Sequence, residues 1–278
     1  MSKILQGNRL DILRTLDSDI ADTCITCPTH NIFDNIAHST SDSDIQKCID
    51  NVVDVFREVR RVLNPDGTLW VIADDLYNSN ISSDFIKKSD LVGLPWMLAF
   101  ALRSDGWYLR QDIICKIDMC SDDIEDRCVN SHRYIFLLSN ERNYYFDYEA
   151  IQEYATGYDG RKDTTHKGSE KYSSKLYFPN GTNNQSMASS PHERWRYKNL
   201  MPKGQPTHTM HEKRLDGYSD EVYPIRNKRN VWDTTDLNTC ISAGSKFNGV
   251  IIDPFYVDDS IKNLSEDLGR DYIGIKSL

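Results

Sequence analysis

Apolar residues recur at every third or fourth position in one long segment, residues 45–63. This spacing places them on one face of an α-helix, with the charged residues on the opposite face. The turn sequence NPDG follows at residues 64–67, and a continuous apolar run follows at residues 68–74. The pattern predicts an amphipathic helix that leads through a tight turn into a buried strand. The apolar positions of the helix are Ile49, Val52, Val53, Phe56, Val59 and Leu63.

Shorter apolar runs and helical patterns alternate along the rest of the chain. Strands are predicted at residues 21–27, 107–116, 132–139, 248–255 and 271–278, and helices at residues 9–16, 95–106 and 258–269. Strands that alternate with helices are typical of a parallel sheet that is covered on both faces. We therefore predict an α/β fold with a doubly wound, mostly parallel sheet.

The composition is that of an ordinary globular protein with 278 residues and a formal net charge of −9. The apolar run at residues 91–102 is too short to span a bilayer. The N-terminus lacks the pattern of a signal peptide, and seven cysteines without regular spacing favour reduced thiols. We expect a cytoplasmic protein without a membrane partner.

Residues 151–230 differ from the rest of this acidic chain, because they carry fourteen Lys and Arg against nine Asp and Glu. The segment is also rich in Gly, Ser, Asn and Tyr, which predicts a large irregular insertion. Basic residues interleaved with aromatic rings favour contact with nucleic acid, although a polar insertion without a ligand is the alternative. The candidate contact residues are Lys171, Lys175, Arg194, Trp195, Arg196, Lys198, Arg226, Lys228 and Arg229. The predicted organisation is residues 1–150 and 231–278 as one domain, interrupted by residues 151–230.

Several long segments resemble the β-class DNA amino-methyltransferases of restriction–modification systems. The similar stretches are REVRRVLNPDGTLWV, DLVGLPWMLAFALRSDGWYLRQDII, HRYIFLLSNERNYYFDYEAI and RNKRNVW, together with the DPF strand and GRDYIGI near the C-terminus. The resemblance implies a Rossmann-like methyltransferase sheet, S-adenosylmethionine as cofactor and double-stranded DNA as partner. The basic insertion corresponds to the target-recognition region of that class. Such enzymes methylate N4 of cytosine or N6 of adenine, and we expect N4 of cytosine here.

The resemblance also identifies a catalytic loop after the first predicted strand. Relatives carry a Ser-Pro-Pro-Tyr-like sequence there, which holds the flipped base and accepts hydrogen bonds from its amine. The aligned residues are Cys27, Pro28, Thr29 and His30. Sulfur is a weaker acceptor than oxygen, and His has a smaller ring than Tyr. Cys27 precedes the proline, whereas the nucleophile of 5-methylcytosine enzymes follows one, so we predict a degenerate loop without a nucleophilic cysteine.

The cofactor side shows a similar departure from the family. Asp253, Pro254 and Phe255 match the family's Asp-Pro-Phe, but the sequence YVDDS replaces the glycine-rich turn that follows it. Lys276 stands where relatives carry the acid that binds ribose hydroxyls, and a Pro-x-Lys-type contact is missing between residues 235 and 238. We expect weak or lost methyl transfer. The alternative is a non-catalytic DNA-binding module or a partner subunit of another methyltransferase.

Two smaller groups of polar residues were weighed as sites. Cys24, Cys27 and His30 form a C-x-x-C-x-x-H run, but its cysteines lie along a strand end rather than across a tight turn, so we predict no metal site. Asp74 and Asp75 follow a strand, and we expect them to end it as solvated carboxylates.

Overall fold

The computed structural model describes residues 2–29, 42–78, 86–117, 125–154 and 225–277. The chain divides into two compact units, one formed by Met1–Ala150 with Arg229–Leu278 and the other by Ile151–Lys228. In the second unit, β6 (Glu153–Tyr154) and β7 (Ile225–Arg226) form a short antiparallel ladder. The other elements named below belong to the first unit.

The first unit is built on an eight-stranded sheet with the order β1-β10-β9-β2-β3-β5-β4-β8. Of these strands, β5 alone runs against its neighbours, whereas the others are parallel. The prediction of a mostly parallel, doubly wound sheet is therefore confirmed. The strands are β1 (Lys3–Gln6), β2 (Ala21–Thr26), β3 (Leu63–Ala73), β4 (Tyr108–Lys116), β5 (His132–Ser139), β8 (Val231–Trp232), β9 (Val250–Asp253) and β10 (Asp271–Lys276).

Five described helices accompany the sheet: α1 (Arg9–Thr15), α2 (Asp42–Val62), α3 (Leu94–Ser104), α4 (Leu237–Gly244) and α5 (Ser260–Asp267). The apolar positions predicted for α2 are buried, and Phe56 and Val59 are completely inaccessible to solvent. Burial of a helix stripe on a sheet face removes apolar area from water, which is the main stabilising contribution to this fold. Helix α3 begins after Gly93, whose φ of 76° favours glycine, and has a proline in its first turn.

Three elements were not predicted because their local signals are weak. Strand β1 has four residues and β8 has two, and helix α4 is rich in Thr, Cys, Ser and Gly. Residues with low helix propensity form α4 because Asp236 caps it, accepting a hydrogen bond from the Thr239 backbone N–H at 3.0 Å. Burial of Cys240 and Ile241 then anchors the helix. Residues 237 and 238, in the stretch with the missing family contact, begin this helix.

Candidate functional site

The sheet has a topological switch point between β9 and β2, because the chain leaves β9 through α5 toward β10 and leaves β2 through α2 toward β3. In open α/β sheets, ligands bind outside the carboxyl ends of the strands at such a point. The two predicted motifs follow these two strands: Cys27–Thr29 after β2 and Asp253–Phe255 at the end of β9. The tertiary structure therefore brings the candidate catalytic loop and the candidate cofactor segment to one crevice.

The two sides of the crevice are joined directly through Thr26, the last residue of β2. Its Oγ1 donates to Asp253 Oδ1 at 2.5 Å, and the backbone N–H of Phe255 lies 3.3 Å from the same Oγ1. Sequence analysis did not single out Thr26. A buried threonine at a strand end has no distinctive local signal, and its partner is 227 residues away.

Asp253 is only 2% exposed, and its carboxylate is held by three donors of the chain itself. Besides Thr26, the phenolic hydroxyl of Tyr272 donates to Oδ2 at 3.0 Å and the Phe255 backbone N–H donates to Oδ1 at 3.1 Å. Burial raises the pKa of Asp253 from 3.8 to about 6, although the hydrogen bonds and the nearby Arg9 oppose the rise. Burial, together with the Asp253 charge, also raises the pKa of Tyr272.

Arg9, the first residue of α1, reaches the Asp-Pro-Phe segment from the other edge of the crevice. Its Nε donates to the carbonyl oxygen of Pro254 at 2.9 Å, and its guanidinium carbon lies 4.8 Å from the centroid of the Phe255 ring. Burial lowers the pKa of Arg9, and the attraction of Asp253 opposes this effect. Sequence analysis did not identify Arg9, because an arginine at a helix start carries no signal of a distant contact.

The turn that replaces the glycine-rich sequence is closed by its own side chains. The Tyr256 hydroxyl donates to Asp259 Oδ1 at 2.9 Å, and Asp258 Oδ1 accepts from the Ser260 backbone N–H at 2.8 Å. The Tyr256 ring lies against β10, since a methyl group added at Gly274 would be 3.1 Å from Tyr256 Cδ2. An aromatic ring therefore covers the carboxyl end of β10 beside Asp253.

Lys276 ends β10 at the same edge of the sheet. Its side chain is exposed, and its backbone carbonyl accepts from the N–H of Gly7 at 3.1 Å. Ladder pairing of β1 with β10 thus extends to the point where α1 begins, which brings Arg9 and Lys276 to neighbouring strand ends.

The candidate catalytic loop is partly described. Thr29 is completely buried, and its Oγ1 lies 3.3 Å from Cys27 Sγ. Burial raises the pKa of Cys27, although the hydrogen bond with Thr29 opposes the rise, so the thiol is neutral at physiological pH. Pro28 is buried between them, and His30 lies outside the described residues.

The expectation that Asp74 and Asp75 are solvated is wrong. Asp74 forms a bidentate ion pair with Arg133, with Nε and Nη2 each 2.9 Å from a carboxylate oxygen. Asp75 Oδ1 accepts from the backbone N–H groups of Leu76, Gly93 and Leu94 at 2.9 to 3.1 Å. Both carboxylates are structural, because the antiparallel register of β3 and β5 places Arg133 beside Asp74 and the chain leading into α3 returns to Asp75.

The cysteine of the possible metal run that lies within β2, Cys24, is completely buried in the apolar core. Burial raises its pKa well above the usual value, which disfavours the thiolate that a metal would require. In the described ranges, no three His, Cys, Asp or Glu side chains are grouped as metal ligands. The same ranges contain no helix that is both long and apolar enough for a membrane span.

Most candidate DNA-contacting residues lie outside the described part of the chain, namely Lys171, Lys175, Arg194, Trp195, Arg196 and Lys198. Arg226 lies in the β6–β7 ladder of the second unit, where its Nε pairs with Glu153 Oε1 at 2.8 Å. Lys228 ends that unit. Arg229 begins the returning segment of the first unit, and its backbone carbonyl accepts from Trp232 Nε1 at 2.6 Å.

Solved structures with the same fold are DNA-modifying enzymes. A DNA modification methylase from Thermus thermophilus, TTHA0409, solved with S-adenosyl-L-methionine, has a TM-score of 0.58 and 15% identity, covering 100% of this chain and 90% of its own. The cytosine-N4-specific PvuII DNA methyltransferase has a TM-score of 0.59 and 10% identity, covering 100% of this chain and 82% of its own. At these identities the likeness shows the shared fold.

Sequence comparison extends the likeness to the family. Type II methyltransferase M.SmaI of Serratia marcescens is 30% identical over 99% of this chain and 86% of its own length. Type II methyltransferase M.Cfr9I of Citrobacter freundii is 33% identical over 54% of this chain and 58% of its own length. The profile of the N6/N4 DNA methylase family matches residues 21–277. This chain therefore belongs to the DNA methylase family.

Proposed function

We propose that this chain binds double-stranded DNA, as its family membership implies, and that its methyl transfer from S-adenosylmethionine is weak or lost. Where transfer survives, the preferred acceptor is N4 of cytosine rather than N6 of adenine. The strongest support is the self-contained hydrogen bonding of the crevice, in which Asp253 is buried among the chain's own donors.

The residues present do not fit S-adenosylmethionine well. The turn after β9 carries Tyr256 against β10 and two carboxylates, Asp258 and Asp259, at the start of α5. The methionine part of the donor has its own carboxylate, which two neighbouring carboxylates would repel. Lys276 offers N–H donors alone, so it cannot accept hydrogen bonds from ribose hydroxyls as an acid can.

The acceptor side is equally poor for this chemistry. An exocyclic amine is a weak nucleophile because its lone pair is delocalised into the base, and strong oxygen acceptors help to localise that pair. Cys27 presents a neutral thiol, and the hydroxyl of Thr29 is already within hydrogen-bonding distance of that sulfur. Both positions therefore favour a low rate even with donor bound.

DNA binding is supported by the family and by the basic character of residues 151–230. Binding through phosphate contacts releases counterions, so affinity must fall steeply as salt rises. We propose that the nine basic and aromatic residues predicted above contribute to this contact. A partner methyltransferase subunit would be a way for such a chain to act in DNA modification.

Two assays with the purified chain test the proposal. A gel-shift series with a duplex at increasing salt should show binding that weakens with salt, and replacing Lys171 and Lys175 by Ala should lower the salt slope by about 2. Replacing Lys3, an exposed lysine at the start of β1, is the matched control. Absence of any shift at low salt would remove the DNA-binding half.

The second assay measures transfer of a labelled methyl group from S-adenosylmethionine to DNA. We expect little or no incorporation by the chain alone. Efficient incorporation would overturn the proposed loss of activity, and analysis of the modified base would then test the preference for N4 of cytosine. Incorporation that requires an added methyltransferase would identify a partner-subunit role.

A further inference from the structure

We infer that Arg9 is a resident cation that occupies the recognition chemistry of the crevice and excludes a cationic methyl donor. The inference rests on the proposed position of the donor beside Asp253–Phe255. It names one residue, outside the family motifs, that determines which ligands the crevice accepts.

Arg9 contacts the whole Asp-Pro-Phe segment. It donates to the carbonyl of Pro254 at 2.9 Å, its guanidinium lies over the Phe255 ring at 4.8 Å, and it attracts the Asp253 carboxylate. The Phe255 ring is only 3% exposed and packs on Phe56 of α2 at a centroid distance of 5.8 Å. Its orientation is therefore fixed by the core, and the cation meets a rigid aromatic face.

An aromatic face beside a carboxylate is a recognition element for organic cations. The sulfonium of S-adenosylmethionine and the guanidinium of Arg9 both carry a positive charge that such an element attracts. A donor that enters the crevice must either displace Arg9 or place a second positive charge near it. Either event weakens the binding of a cationic ligand more than the binding of a neutral ligand of the same shape.

The position of Arg9 is preorganised by the local sequence. Asn8 precedes it as the N-cap of α1 and accepts from the Asp11 backbone N–H at 3.2 Å. Leu13 of the same helix is completely buried in the core. The helix start is therefore held at the end of β1, and little conformational freedom is lost when the guanidinium stacks on Phe255.

A merely structural role for Arg9 is the competing explanation, since its hydrogen bond to Pro254 could serve only to hold the turn. The two roles predict different ligand selectivity. A structural clamp affects all ligands alike, whereas a resident cation discriminates against positive charge. S-adenosylmethionine and S-adenosylhomocysteine separate the two, because they share the nucleoside and the amino acid part and differ by the methyl group and its sulfonium charge.

The test is calorimetric titration of both compounds into the wild-type chain, Arg9→Gln and Arg9→Lys. Gln keeps an N–H donor for Pro254 without the charge, and Lys keeps the charge. We expect Arg9→Gln to bind S-adenosylmethionine about 10-fold more tightly than wild type, which is the size of a partly buried cation–π contact. S-adenosylhomocysteine should change less than about threefold, and Arg9→Lys should resemble wild type.

Three further measurements keep the result decisive. Thermal unfolding verifies that each variant is folded, and repetition in a Tyr256→Ala background removes the ring that lies against β10. Equal changes for the two ligands overturn the inference, as does failure of Arg9→Gln to bind either ligand in that background. Gel shifts with DNA should be identical for all variants, so failure of the proposed DNA binding would be seen separately.

Discussion

The centre of the sheet and its carboxyl edge are made from the same strands but are held together by different interactions. Within β2, β3 and β9, the side chains of Cys24, Leu69 and Ile252 are completely buried in an apolar core. A few residues further along, the same strands lead into Thr26, Asp74 and Asp253, each bound to a specific polar partner. Non-directional packing thus gives way to directional pairs over a short length of each strand.

This difference explains how the family fold can persist while its site residues change. Apolar packing depends on volume and on the hydrophobic pattern, and it tolerates substitutions that keep both. A polar crevice depends on the identity of each donor and acceptor, because an unpaired buried group is costly. In this chain the crevice residues have changed and have found partners among themselves. The fold remains stable while the site becomes self-contained.

The largest expected effect is on the core side of this comparison. Phe56→Ala removes a completely buried ring that packs on Phe255, and we expect the free energy of unfolding to fall by about 3–5 kcal/mol. Chemical denaturation measures it. Phe100→Ala on α3 is the control, because that ring is 45% exposed and its loss should cost about 0.5 kcal/mol or less. Similar losses in the two variants would contradict the core assignment.

The next effect is a pH dependence that arises in the crevice. Because the pKa of Asp253 is about 6 in the folded chain and 3.8 ordinarily, the unfolded carboxyl ionises first as pH rises. The free energy of unfolding should therefore fall between about pH 4 and pH 6, by about 3 kcal/mol from this group, and this contribution should stay constant above that range.

Asp253→Asn tests this dependence, because the amide keeps one oxygen acceptor and does not titrate. Denaturant unfolding of both proteins at pH 4 and pH 7 should show that the wild type loses about 3 kcal/mol more than the variant over this interval. Other carboxyl groups cancel in the comparison. Equal losses would show that Asp253 is not buried in its uncharged form.

A smaller effect is expected at the other polar end of the sheet. The bidentate Asp74–Arg133 pair is mostly shielded, with side-chain exposures of 19% and 29%, so a double-mutant cycle should give a coupling energy of about 1–2 kcal/mol. The Lys116–Asp233 pair is the control, since its side chains are 61% and 92% exposed and its coupling should be within experimental error. Equal coupling in the two pairs would refute a structural role for Asp74.

The smallest effect concerns the start of α3. Asp75→Ala removes the acceptor of three backbone N–H groups and should lower the free energy of unfolding by about 1 kcal/mol. Asp75→Asn retains an oxygen acceptor and should lose less, as measured by denaturant unfolding. An equal loss in both variants would indicate that charge, rather than hydrogen bonding, matters at this position.

Local patterns in the sequence were sufficient for much of the fold. The three-to-four spacing of apolar residues predicted α2, and short apolar runs predicted β2, β3, β4, β5, β9 and β10. Strands β1 and β8 and helix α4 were missed, because two to four extended residues or a helix of weak helix formers carries too little periodic signal. Their formation depends on neighbours that are distant in the chain.

The candidate site divides in the same way. The sequence alone identified Cys27 and Asp253 as strand-end residues in altered motifs, since residue type and position in a pattern are local properties. Tertiary structure alone decided that Thr26 joins these motifs, that Arg9 covers Phe255 and that Asp74 pairs with Arg133. Strand order and register determine these contacts, and both result from packing between segments far apart in the chain, which no local pattern of residues encodes.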